Sequence, residues 1–442
     1  MTTNPSTAAA AAPSTALLTD HYELTMVQAA LASGNADRRC VFELFPRSLP
    51  DGRRYGVVAG VGRALDALQR FVFDDSVLAA LDEHQVVDPV TLDWLSTYRF
   101  TGDIAGYPEG EVYMPYSPLM VVEASFAEAV VLETLLLSIL NHDSAIASAA
   151  SRMTWAANGR PCIEMGSRRT HEEAAVAAAR AAYIAGFDTT SNLAAGHRYG
   201  VPTAGTSAHS FTLLHDTERD AFTAQVNSLG KSTSLLVDTF DVAEAVRMGV
   251  EIAGTELGAV RIDSGDLGVL AAQVRDQLDR LGATNTRIIV TSDLDEFSIA
   301  ALAAAPVDGY GVGTALVTGS GCPTSGLVYK LVAREIGDGE GRRMVPIAKK
   351  SKGKVSRGGR KYAARRLDAA GVAEAEVIGV GAPPTERGLR PLLVPLVRDG
   401  EVVGREPLAA ARDRHARCRE ELPLQARQLS RGAPVIPTEF TG

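Results

Sequence analysis

The 442-residue chain is poor in cysteine, and Cys40, Cys162, Cys322 and Cys418 are scattered, with no CxxC pair and no metal-ligand spacing. That excludes a disulfide framework and a cysteine-built metal site, and it points to a reduced, cytoplasmic protein. Excess positive charge is also missing. A formal charge of -9 argues against nonspecific nucleic-acid binding by the whole chain. No apolar run is long enough to span a bilayer: the most apolar stretch, 127–140, carries Glu128 and Glu133 and reads as a buried helix, so no membrane role is expected. Residues 1–16 are rich in Ala, Thr, Ser and Pro, with no basic stretch and no Leu-rich core. They read as a disordered tail rather than a signal peptide.

What is present is a strand-then-helix rhythm. Apolar runs fall at 161–165, 186–187, 202–205, 234–237, 259–262, 287–290, 309–312 and 327–332, with helical stretches such as 172–185, 241–253, 267–281 and 296–304 between them. Such alternation predicts an α/β fold with a parallel sheet, and a count close to eight suggests an irregular TIM-like barrel. The expected organisation is a tail at 1–16, an N-terminal α+β domain at 17–140, the α/β barrel at 141–335 and a small C-terminal region at 336–442. A barrel gathers chemistry at the carboxyl ends of its strands, where this reading puts Arg168, Asp188, His209, Asp238, Asp263, Asp293 and Gly313.

The segment Pro202-Thr203-Ala204-Gly205-Thr206-Ser207-Ala208-His209-Ser210-Phe211 carries the strongest signal. Small side chains let a bulky polar ligand approach the backbone, and an imidazole can act as base or nucleophile near neutral pH. A lone histidine is more often structural, but the strand-end position and small neighbours favour catalysis for His209. Gly311-Val312-Gly313-Thr314, late in the alternation, suits a turn that cradles phosphate through backbone N–H groups. Arg261 and Asp263 are two apart on one strand and face the same side, as a structural ion pair or as ligand contacts. Ser264 and Asp266 could simply cap the next helix, and Asp241 reads as a cap as well, leaving Asp238 for a sugar or Mg²⁺. At most one of Arg168 and Arg169 is expected to face the site. The basic run 349–366 lacks aromatic interleaving apart from Tyr362, and reads as a solvated arm or one lying over a polyphosphate.

Taken in order, these segments resemble the nicotinate phosphoribosyltransferase family. The likeness starts at Leu18-Thr19-Asp20-His21-Tyr22-Glu23-Leu24-Thr25-Met26, continues through Thr101-Gly102-Asp103-Ile104 and Pro108-Glu109-Gly110-Glu111, and then through Gly166-Ser167-Arg168-Arg169 and residues 186–192. It goes on through the His209 segment, residues 261–266, Thr291-Ser292-Asp293-Leu294-Asp295, the Gly311 turn and Val328-Tyr329-Lys330-Leu331-Val332, covering roughly residues 17–366. The resemblance implies an incomplete barrel joined to an N-terminal domain, and a homodimer whose active site is shared between subunits. Its substrates would be nicotinate, 5-phosphoribosyl 1-diphosphate and ATP, with Mg²⁺. On that reading His209 is transiently phosphorylated by ATP, and Tyr22, with Asp20 beside it, stacks on the pyridine from the partner subunit. Arg168 and Arg261 flank the substrates, Asp188 lies near the pyridine, and Thr206 belongs to the substrate-binding segment. Asp238 and Asp263 hold ribose, diphosphate or Mg²⁺; Ser292, Asp293, Gly311, Gly313 and Thr314 bind the ribose 5-phosphate; Lys330 and Lys350 reach the diphosphate.

The chain departs from the family's pattern at Thr170-His171, which follows the arginine pair, and at Gly358-Gly359 in the basic run. Competing readings are a nicotinamide- or quinolinate-using phosphoribosyltransferase of the same fold and a sugar-phosphate barrel lyase or isomerase. The last would want a Schiff-base lysine at a strand end, and no strand end before Lys330 offers one.

Overall fold

The protein is described here as a computed structural model covering residues 12–337, 339–349 and 357–441. At its centre is a six-stranded, wholly parallel sheet. Its spatial order is Thr189–Thr190, Cys162–Glu164, Gly309–Val312, Arg287–Val290, Ala259–Ile262, Ser234–Leu236. The strands are short and mostly buried, as a sheet clothed by crossover helices requires. Helices Glu172–Ile184, Val242–Ala253, Leu267–Arg280 and Glu296–Ala301 supply crossovers. Three of them begin on carboxylate caps: Asp241 accepts from the N–H of Glu244, Asp266 from that of Val269, and Asp295 from those of Phe297 and Ser298. Parallel strands leave all their carboxyl ends on one side, where loops can converge.

The runs 259–262, 287–290 and 309–312 are strands to the residue. The run 186–187 is corrected: the strand forms two residues later, as Thr189–Thr190. The run 202–205 contributes only a parallel bridge from Thr203 to Thr190. The run 327–332 is a strand, Leu327–Ile336, but it pairs antiparallel with Arg39–Pro46 in a different sheet. Apolar periodicity marks a strand without marking its partner.

That second sheet has seven strands, in the order Arg343–Pro346, Leu327–Ile336, Arg39–Pro46, Met120–Ser125, Asp103–Gly106, Val394–Arg398, Glu401–Val402, so it combines residues from both ends of the chain. Phe42 and Tyr329 stack across it at 4.9 Å. The 24-residue helix Glu133–Ala156 lies against both bodies. Its buried Ser144, Ser148 and Ser151 let the extended segment at 55–59 approach closely: Ser148 accepts from the N–H of Val57, and Tyr55 bonds Ser151 at 2.7 Å. By length and composition the run Phe126–Ala156 could cross a membrane, yet 67% of its apolar window is buried in the fold, and it is a core element here.

Past residue 336 the chain is more ordered than its composition suggests. Strands Arg390–Pro391, Lys361–Leu367, Ala373–Val380 and Thr438–Thr441 form a third sheet, and the helix Leu408–Glu420, which precedes the last of them, packs against the helix Glu172–Ile184. The reading of 349–366 as a solvated arm is corrected for its described part. Lys361 is buried against Glu43, and Arg365, fully buried, bridges Glu111 and Glu376. These cations are interior ion pairs, which composition alone cannot distinguish from a surface run.

Candidate active site

His209 opens the short helix His209–Leu214 with its ring 40% exposed, while the Asp238 side chain beside it is 2% exposed. His209 Nε2 lies 3.1 Å from Asp238 Oδ1. The other carboxylate oxygen of Asp238 accepts from the backbone N–H of Asp263 at 3.0 Å and from the Ser264 hydroxyl at 2.6 Å. Asp238 therefore has both oxygens engaged, and it fixes the imidazole with Nδ1 left over for chemistry. Ser264, expected as a possible cap, instead supports Asp238, while Asp266 is the cap.

Asp263 accepts from the Thr291 hydroxyl through one oxygen. It shares a cleft with Arg168, Arg169, Ser292, Asp293 and the turn of Gly311, Gly313 and Thr314. Both arginines of the pair line this cleft, where one was expected. Ser292 adopts φ 126°, a conformation L side chains rarely hold, and such strain concentrates where a loop is aimed at a ligand. Arg261 donates to the Ser207 carbonyl at 2.9 Å, while its buried Nε has no hydrogen-bond partner among the described residues. Burial lowers the Arg261 pKa and Arg168 adds to the effect, partly offset by Asp263 and Asp238. A cation desolvated in this way favours an anion.

Gly311 is a packing requirement. A Cβ there would sit 2.5 Å from Thr291 Cγ2 and 2.8 Å from Met165 Sδ. Gly311→Ala is expected to cost about 1–3 kcal/mol, read as a lower denaturation midpoint, with weaker binding of phosphorylated substrate.

Two groups of expected residues fall outside this cluster. Asp188 is corrected: it precedes its strand, accepts from the N–H of Cys162 at 3.1 Å and pairs with Arg412 at 3.2 Å, at the amino end of the sheet. Asp20, Tyr22 and Lys330 form a separate group around Glu133 and Thr134. Thr134 bonds Asp20 at 3.1 Å, Lys330 lies 3.7 Å from Glu133, and Tyr22 is raised to about 12 by burial and by Glu133, Glu23 and Asp20. Lys350 lies outside the described residues. Thr206 is exposed in the loop before His209.

Residue-type reasoning missed Glu164, a buried carboxylate ending the strand Cys162–Glu164, although an acid inside a short apolar run was the available signal. A larger concavity, of about 900 Å³, lies elsewhere, and ion pairs among its lining residues include Arg180–Glu109, Arg390–Glu111 and Arg414–Glu406.

A histidine held by a buried carboxylate, with arginines and a glycine-rich turn at the same end of a parallel sheet, defines an α/β enzyme built around phosphorylated anions. A family model described as the nicotinate phosphoribosyltransferase (NAPRTase) N-terminal domain matches residues 17–141. The chain is 59% identical over 432 residues to nicotinate phosphoribosyltransferase pncB1 of Mycobacterium tuberculosis, covering 96% of this chain and 94% of that one. It is 38% identical over 367 residues to the nicotinate phosphoribosyltransferase of Bacillus subtilis, covering 80% and 74%. The crystal structure of human nicotinic acid phosphoribosyltransferase shares the fold, with a TM-score of 0.80, 24% identity and coverage of 96% and 97%. The chain belongs to the nicotinate phosphoribosyltransferase family.

Proposed function

We propose that the protein transfers the phosphoribosyl group of 5-phosphoribosyl 1-diphosphate to nicotinate, giving nicotinate mononucleotide and diphosphate. ATP hydrolysis through a phosphorylated His209 drives the reaction. The observation that carries this reading is the bond from His209 to Asp238, next to a carboxylate and a strained turn that line an anion-binding cleft.

The pyridine nitrogen is itself the nucleophile: it bonds to the anomeric carbon as the bond to diphosphate breaks, so no strong base is required. His209 has a different task. Its Nδ1 attacks the γ-phosphorus of ATP, ADP leaves, and the phosphoimidazole is hydrolysed after transfer. Backbone donors around Gly311, Gly313 and Thr314, with Ser292, suit the ribose 5-phosphate. Arg261 and Arg168 suit the nicotinate carboxylate and the diphosphate. Thr206, in the loop leading to His209, is positioned in sequence to meet the substrate.

Mg²⁺ binds through one or two carboxylates together with substrate phosphates, so it requires no preformed cage. Among the described residues no cluster of three or more ligating side chains exists, and Asp238 is committed to His209. Asp263 has one oxygen engaged and Asp293 lines the same cleft, so these two carboxylates fit the ion. When bound it would neutralise the departing diphosphate.

Asp20, Tyr22 and Lys330 serve, on this reading, the active site of a second copy in a homodimer. Exposed Leu17, Leu18 and Tyr22 near that group, and exposed Leu213, Leu214 and Phe240 near His209, support it. The parallel sheet, extended by the Thr203 bridge, is read as the wall of an incomplete barrel, and unpaired cysteines suit a cytoplasmic setting.

Nicotinate, nicotinamide and quinolinate assayed side by side with 5-phosphoribosyl 1-diphosphate test the substrate. Nicotinate is expected to give mononucleotide at a rate at least about tenfold above the other two. Preference for either alternative would reassign the acceptor.

A further inference from the structure

Glu164 is 1% exposed, burial raises its pKa, and it forms no ion pair among the described residues. Burying a carboxylate without a cation is costly unless its oxygens are met by donors, and here the donors come from two different loops. One oxygen accepts from the backbone N–H of Gly166, at the start of the turn that carries Arg168 and Arg169. The other accepts from the hydroxyl of Thr190, whose oxygen in turn accepts from the N–H of Asn192 at 2.9 Å. The Asn192 side chain closes the circuit by donating to Ser167 Oγ at 3.0 Å. The turn is pressed from the opposite side as well: a Cβ on Gly166 would meet Val317 Cγ1 at 2.2 Å and the Gly313 carbonyl at 3.1 Å. The arginine turn is thus wedged between the Gly313 turn and the Thr190 loop, and Glu164, with Asn192, ties it to the Thr190 loop.

We propose that Glu164 is a positioning residue for phosphoribosyl diphosphate, holding the Gly166 turn against the Thr190 loop so that Arg168 faces the cleft. This rests on the phosphoribosyl-transfer reading for the identity of the anion. The carboxylate offers two acceptors to two donors. An amide offers one, so in Glu164→Gln the Thr190 hydroxyl can only accept from the amide N–H, its own proton loses the carboxylate, and the hold on the turn is weakened. Glu164 touches no substrate and acts through the turn.

Full-length Glu164→Gln, Thr190→Val and Thr190→Ser proteins test this by calorimetric titration with 5-phosphoribosyl 1-diphosphate and by steady-state kinetics. Glu164→Gln and Thr190→Val are expected to bind the diphosphate about tenfold more weakly, with KM raised in step and kcat within about threefold of wild type. Thr190→Ser, which restores the hydroxyl, is expected to bind as wild type does. Wild-type binding in folded Glu164→Gln and Thr190→Val proteins overturns the proposal. So does a loss confined to the unfolded fraction, with the folded remainder binding normally. If Glu164→Gln does not fold, Thr190→Val against Thr190→Ser decides the matter. A wild-type protein that binds the diphosphate but transfers nothing to nicotinate would remove the transfer reading, and the binding titrations would still judge Glu164.

Discussion

His209→Ala is expected to lose ATP hydrolysis by at least about a hundredfold while keeping measurable ATP-independent transfer to nicotinate. The split follows from the chemistry. The pyridine nitrogen needs no base, so removing the imidazole leaves nucleophile, cleft and leaving-group contacts in place. The phosphoryl group of ATP, by contrast, has lost its acceptor. The fold should tolerate the change, because the ring is 40% exposed and Asp238 keeps its bonds to Asp263 and Ser264. ADP release and mononucleotide formation, measured together with and without ATP, read both halves. ATP stimulation equal to that of wild type would remove His209 from the mechanism.

The second large effect belongs to Asp238→Asn. The isosteric amide can keep its oxygen towards Asp263 and Ser264, but it then presents N–H to His209 Nε2. The ring must answer with its lone pair there and carry its proton on Nδ1, the nitrogen left free to attack. ATP hydrolysis should fall by between about 10² and 10⁴, the scale seen when a carboxylate that fixes an imidazole tautomer becomes an amide. His209→Ala/Asp238→Asn should hydrolyse ATP no more slowly than the more impaired of the two single variants, since the two residues act as one unit. ATPase activity in Asp238→Asn within about threefold of wild type would mean that Asp238 has another role.

Much of the site was legible because it lies at strand ends. Arg261 and Asp263, two apart with buried Ile262 between them, both reach the active end as a period of two demands. The Gly311 turn was legible from small residues late in the alternation. Asp238 and His209 were both singled out, but their pairing was not, because they are separated by 28 intervening positions and no local pattern encodes their approach. Asp188 went astray through a boundary slip. With the strand starting at Thr189 rather than ending at Phe187, the same carboxylate moves from the carboxyl to the amino end. The third sheet was hidden because Lys361 and Arg365, buried in ion pairs, look like surface charge in a sequence. Asp20, Tyr22 and Lys330 were suggested by family likeness alone, and within one chain they gather around Glu133 rather than His209.

The most direct test supplies wild-type protein with ATP labelled at the γ-phosphate and then chases with nicotinate and 5-phosphoribosyl 1-diphosphate. The expected result is acid-labile label on His209, discharged as inorganic phosphate as nicotinate mononucleotide accumulates. Label on another residue, or mononucleotide formed with ATP stimulation while His209 stays unlabelled, would contradict it.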